Sequence, residues 1–312
     1  MPQSTSPAPA ATPVAWPPGA RSVLTDLDGP VRSLQLGGPA GAPVLLCVHG
    51  LGGSALNWGL LAPRLTATHR VLAVDLFGHG GSGLPTRGRG LAADRRMLAR
   101  FVTEVVGEPV VLVGHSMGGV LALLHAATAP ETLRGLVLLS PPVPDGTGRR
   151  DLALTARRAF LALPGVAAAV RRKLFRMTAE EVVAQQLRQA TPHADRLPAD
   201  AVAAVVAETR ERSASPDAGA AQAQQWTGIL DTMALLARPR RWRDTVAGID
   251  VPGVWLQGTD DPLARAEHAR ALAAVRPDWP FRLREGVGHL LAVEDPEWTA
   301  DAIRSWPVAG SA

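Results

Sequence analysis

Val110-Val111-Leu112-Val113-Gly114-His115-Ser116-Met117-Gly118-Gly119-Val120-Leu121 is the stretch on which the fold turns. Its apolar, β-branched opening reads as a short strand buried on both faces. The run from Val120 to Ala127 reads as a helix. Between them, Gly-x-Ser-x-Gly puts Ser116 on a tight strand-to-helix turn in strained backbone, where side chains at the flanking positions would collide with neighbouring chain. Ser116 then projects from a sheet edge at a helix N-terminus. Taken alone, the pattern is also that of an ordinary glycine-rich turn; the strand before it and the helix after it set it apart.

Working outward, short leucine-rich and β-branched runs at 22–26, 31–36, 44–48, 71–74, 110–113 and 136–139 alternate with helical patterns, notably 92–106. That rhythm predicts strand and crossover-helix units on a mostly parallel sheet. It stops after the proline-rich stretch 141–144, and from about Arg149 to Asp244 only Ala, Arg, Glu and Leu at helical spacing remain, broken at Pro164-Gly165 and around 213–219. A helical insertion is expected there. Strand-like runs resume at 254–257 and 281–283, with helical segments at 266–275 and 296–306. No internal repeat is present.

A serine hydroxyl needs a base to take its proton, and that base must be held in one tautomer by an acid. Asp260 and Asp261 follow the 254–257 strand in Gly258-Thr259-Asp260-Asp261-Pro262, and His289 follows the last strand in Gly286-Val287-Gly288-His289. Ser, then Asp, then His is the chain order expected for this kind of site.

With these residues in place, the sequence resembles the α/β-hydrolase superfamily from about Arg21 to the C-terminus, interrupted by the helical insertion. Val48-His49-Gly50-Leu51-Gly52-Gly53-Ser54 resembles the family's oxyanion loop after the third strand. Asp75-Leu76-Phe77-Gly78-His79-Gly80-Gly81-Ser82 resembles the loop after the fourth, and the segment from His289 to Glu297 resembles the one carrying the catalytic histidine. The resemblance implies an α/β fold with a mostly parallel eight-stranded sheet flanked by helices. It divides the chain into a tail (1–20), a core (21–143 and 245–312) and a helical cap (144–244).

The resemblance also implies roles. Ser116 is the expected nucleophile, His289 the general base and then acid, and Asp261 the orienting carboxylate, with the N–H groups of Leu51 and Met117 as the oxyanion hole. Asp260 is the alternative acid, and Asp145 a third. His49, His79 and His115 suit supporting hydrogen bonds, while His69, His125, His193 and His268 read as solvated or structural. Trp58, Phe160 and Phe175 are candidate walls of an acyl pocket, with the core or cap packing as the competing reading for each. A serine in place of the aspartate used by relatives that open epoxides favours acyl chemistry. The expectation is a cofactor-independent serine hydrolase for a carboxylic ester with an apolar acyl group. Carbon–carbon bond hydrolysis, cofactor-free perhydrolysis, acyl transfer or a ligand-binding receptor on the same fold are the alternatives.

Composition narrows the field further. There are 32 Lys plus Arg against 28 Asp plus Glu, and the pI near 10.6 overstates the basicity. Lys173 is the only lysine, Cys47 the only thiol and tyrosine is absent, so little titrates between neutrality and arginine. A uniformly basic nucleic-acid binder is a poor reading. One cysteine excludes an internal disulfide or cysteine-rich metal cluster, and no metal-ligand spacing occurs. The proline- and alanine-rich first twenty residues lack a signal-peptide core, no stretch has the length of a membrane span, and the expected location is the cytoplasm. Positive charge gathers at Arg149, Arg150, Arg157, Arg158, Arg171, Arg172, Lys173 and Arg176, against Asp151 alone. This segment reads either as a solvated helical face or as a peripheral contact for anionic substrates or surfaces.

Overall fold

The computed structural model describes residues 20–144, 151–174 and 176–307. Eight strands form one sheet in the order β1-β2-β4-β3-β5-β6-β7-β8. They are β1 (Arg21–Asp26), β2 (Pro30–Gly37), β3 (Val44–Val48), β4 (Arg70–Val74), β5 (Val110–His115), β6 (Leu133–Leu139), β7 (Gly253–Gly258) and β8 (Phe281–Arg284). β2 pairs antiparallel with both β1 and β4, and every other pairing is parallel. All eight expected strands are present.

Parallel strands are apolar on both faces because helices cover both sides. All five residues of β3 and all six of β5 are buried accordingly. One layer packs the sheet against α1 (Gly90–Arg100), α2 (Met117–Ala126), α8 (Pro239–Ala247) and α9 (Ala266–Ala273). The other packs it against α10 (Leu291–Glu294), α11 (Pro296–Arg304) and a turn of 3-10 helix at Ala55–Trp58. The helical pattern 92–106 is split: α1 ends at Arg100 and a π-helical turn, Phe101–Val106, closes on Gly107.

Between β6 and β7 the described chain is helical, as expected: α3 (Leu152–Leu161), α4 (Pro164–Leu174), α5 (Ala179–Ala190), α6 (Ala199–Ala214), α7 (Ala218–Leu236) and then α8. Two breaks fall where the sequence places them, and further ones separate α4 from α5, α5 from α6 and α7 from α8. Pro164 starts α4, and α6 gives way to α7 between Ala214 and Ala218. α5 begins with a capping box in which Thr178 and Glu181 satisfy each other's backbone N–H groups. No single helix among the described residues is long and apolar enough to cross a membrane.

Candidate active site

The strand order reverses direction between β3 and β5, and in open α/β sheets the crevice at such a point, beyond the carboxyl ends of the strands, is where ligands bind. Ser116 directly follows β5 at that crevice with φ 52° and ψ −121°, a positive-φ conformation that costs a non-glycine residue energy. The neighbouring glycines explain how it is held. A Cβ on Gly118 would overlap the Val48 carbonyl oxygen, and one on Gly114 would sit 2.5 Å from that of Gly118. α2 therefore presses directly onto β5 and β3, and its first N–H groups, beginning with Met117, have no acceptor within the helix.

The loop after β3 lies against the same serine. A Cβ on Gly50 would come within 2.9 Å of Ser116 Cβ. His49 Nδ1 lies 2.6 Å from the Gly50 carbonyl oxygen, while its Nε2 accepts the N–H of Leu76 at 3.1 Å. Nδ1 is thus the protonated nitrogen, and burial lowers the ring's pKa to about 4, keeping it neutral. Because a peptide unit is planar and trans, holding the Gly50 carbonyl toward His49 aims the Leu51 N–H the opposite way.

Asp261 and His289 meet at this edge. His289 Nδ1 lies 2.8 Å from Asp261 Oδ2, and both residues are buried. Asp261 also accepts from Gln257 Nε2 and from the N–H groups of Leu263 and Ala264, each at 2.8 Å. Burial alone would raise its pKa, but the His289 contact and the backbone donors outweigh it and hold the carboxyl below its usual range. The His289 backbone is clamped from two sides. Its carbonyl accepts from His115 Nε2 at 2.9 Å, and its N–H donates to the Ala190 carbonyl of α5 at 3.0 Å. His115 is kept neutral by burial, with a pKa near 3.

Asp260 faces outward instead. It is exposed, accepts from Thr259 Oγ1 at 2.8 Å and pairs with His193 Nε2 at 2.8 Å, a partner with no signal in the sequence. Asp145 and Phe175 lie outside the described residues. Two residues expected at the pocket differ in burial. Trp58 is 1% exposed and packs in the core layer with Leu61 and Leu65, the packing that its sequence context left open beside a pocket wall. Phe160 is 59% exposed on α3.

Several supporting residues are not legible in the sequence. Gln257, a lone polar residue in an apolar strand, braces Asp261. Glu294, inside the segment that follows His289, accepts the N–H groups of Gly288 and Leu290 at 2.8 and 2.9 Å, and the Thr191 hydroxyl of the insertion at 2.8 Å. Asp75, completely buried, takes Arg32 Nε at 2.5 Å, and Arg32 Nη2 reaches Glu208 of α6 at 2.5 Å. A spacing five residues after a histidine or a buried charge pair across 176 residues has no local signature.

Similarity to known proteins gives the family of this fold. Residues 45–302 match the alpha/beta hydrolase family. The chain belongs to that family. An uncharacterized protein of Mycobacterium tuberculosis is 27% identical over 275 residues, covering 87% of this chain and 76% of that one. The acetyltransferase component of the acetoin cleaving system of Cupriavidus necator is 40% identical over 119 residues, 38% of this chain and 31% of its own. Among solved structures, naproxen esterase from Bacillus subtilis superposes with a TM-score of 0.67 at 18% identity, covering 93% of this chain and 92% of that one. The thioesterase domain of the curacin biosynthetic pathway does so with 0.69 at 23% identity, covering 92% and 100%. These two show that the family fold is shared.

Proposed function

We propose that this alpha/beta hydrolase cleaves a carboxylic ester through an acyl-enzyme on Ser116. The observation that carries the reading is the buried 2.8 Å contact between His289 Nδ1 and an Asp261 held ionised, at the sheet edge where Ser116 stands in strained backbone. With Nδ1–H directed at Asp261, Nε2 is left to accept a proton. His289 takes the proton of the Ser116 hydroxyl as its oxygen attacks the ester carbonyl. The N–H groups of Leu51 and Met117 receive the developing oxyanion, each supplying on the order of 3 kcal/mol. His289 then protonates the leaving alcohol, and a water activated by the same nitrogen releases the acid.

The insertion acts as a cap in this reading. A Cβ on Gly52 would meet Gln186 of α5, one on Gly78 would meet Ala221 of α7, and one on Gly228 of α7 would lie 3.3 Å from the Met117 sulfur. The loops after β3 and β4 and the Ser116 turn are thus each in contact with it. Apolar Leu51, 43% exposed, and Met117 beside the nucleophile favour an apolar acyl group.

The test is fluorophosphonate labelling together with hydrolysis of a chain-length series of p-nitrophenyl esters. Ser116→Ala should abolish labelling and lower kcat by about five to six orders of magnitude. Labelling and turnover that survive the substitution overturn the assignment.

A further inference from the structure

Helix α3 is built inside out. Its exposed residues are Leu152, Ala153, Ala156, Arg157, Ala159 and Phe160, and Leu152, Ala156 and Phe160 stand at successive i, i+4 positions on one face. Leu152 is 70% exposed, Phe160 59%, and Leu163 in the turn that follows 52%. Of its two arginines Arg157 is exposed, while Arg158 reaches inward and its Nε donates to the Leu230 carbonyl of α7 at 2.9 Å. Trp226 Nε1 of α7 donates to the Leu161 carbonyl at 3.2 Å, so the polar contacts of α3 are spent inward and its apolar side is left to solvent. A surface helix normally does the reverse.

The segment that forms α3 and α4 is almost wholly cationic, with Asp151 at the N-cap of α3 as its one acid and Asp231 of α7 beside Arg158. Residues 152–177 contain five arginines and Lys173 and no acidic residue. Arg157, Arg172, Lys173 and Arg176 are exposed. α3 and the first part of α4 (Pro164–Val170) turn through 76°, which suits two short helices lying along a surface rather than one helix crossing it.

We propose that the α3–α4 face docks this protein onto an anionic lipid bilayer, with Leu152, Phe160 and Leu163 entering the acyl boundary and Arg157, Arg172, Lys173 and Arg176 meeting the headgroups. Apolar anchors among cations are the composition that binds such a surface, since burial of the apolar groups and attraction of the cations act together. A second copy of the chain is the poorer occupant, because a symmetric contact through this face would set like charges against one another. The proposal concerns the outer side of the insertion and goes beyond the reading of the active site.

Cosedimentation with vesicles of equal parts phosphatidylglycerol and phosphatidylcholine, against pure phosphatidylcholine, tests it. The full chain and its Ser116→Ala variant should both pellet with the anionic vesicles, so the result is independent of the nucleophile. Phe160→Ser with Leu163→Ser, and separately Arg172→Glu with Lys173→Glu, should each weaken binding at least about tenfold, and high salt should weaken it too. Circular dichroism establishes that the variants remain folded, and the charge pair at exposed positions serves if the apolar pair does not. Equal partition to both vesicle types, or variants that bind as well as the parent, would overturn the proposal. So would a parent dimer that the Phe160→Ser, Leu163→Ser variant converts to monomer in sedimentation velocity.

Discussion

The sheet edge that carries Ser116, Asp261 and His289 and the helical insertion beside it treat polar groups in opposite ways. At the edge, the buried carboxylate of Asp261 accepts from His289, Gln257, Leu263 and Ala264, and β5 and β7, which lead to Ser116 and Asp261, are wholly buried. The insertion turns apolar side chains outward on α3 and reaches the core through polar contacts: Glu208 to Arg32, His193 to Asp260, and Thr191 to Glu294. α7 adds two more, since Gln224 and Asp231 accept the N–H groups of Gly90 and Leu91 at the start of α1. The difference teaches that the core is held chiefly by burial, which is cooperative. Besides the apolar packing of Leu235, Leu236 and Trp242, the insertion is held by hydrogen bonds and charges that can each be removed singly.

The largest expected effect sharpens the core side. Asp261→Asn keeps the size of the side chain but favours the wrong histidine tautomer, and kcat should fall by about three to four orders of magnitude in steady-state ester hydrolysis. A loss under tenfold would mean that Asp261 braces the loop without orienting His289. On the insertion side, Glu208→Ala removes a buried charge-assisted bond to Arg32 and should cost about 1.5–3 kcal/mol in urea unfolding. An unchanged midpoint would show that the insertion does not depend on this link.

A smaller effect should appear with pH. Asp94 of α1 is buried where α1 meets α7, and burial, with Asp231 nearby, raises its pKa to about 7 from 3.8. Since the fold favours the protonated form, the stability it contributes is complete below about pH 4 and is lost as pH rises through 7. Asp94→Asn can still accept the Phe77 N–H and cannot ionise, so its melting temperature should fall less than the parent's between pH 4 and 7. Parallel curves would remove Asp94 as a source of the pH dependence. The smallest effect is expected from Asp260→Asn, which loses only an exposed pair with His193 and should leave kcat within about twofold of the parent. A large loss there would exchange the roles of the two adjacent aspartates.

Much of the fold is legible in the sequence alone. Strands, helices and breaks follow from local pattern: runs of Val and Leu buried on both faces, prolines that start helices, and glycines where backbones touch. The elbow at Ser116 is legible for the same reason, since a strand, a tight turn and a helix are contiguous in the chain. Trp58 and Phe160 are not, because an aromatic residue has the same local sequence whether it faces a pocket, the core or solvent.

The sequence by itself determined the order of elements, the sheet class and the serine and histidine that stand at its edge. Each depends on neighbours within a few positions or on a motif short enough to read. Only the tertiary structure showed that Asp260 turns out to His193, while Asp261, the acid that the family resemblance implied, turns inward to His289. It also decided that Arg32 lies beside Glu208, and that α3 shows Leu152 and Phe160 to solvent. Those outcomes depend on how a helix is rotated and what lies opposite it, and side-chain periodicity fixes a face without saying what that face will meet.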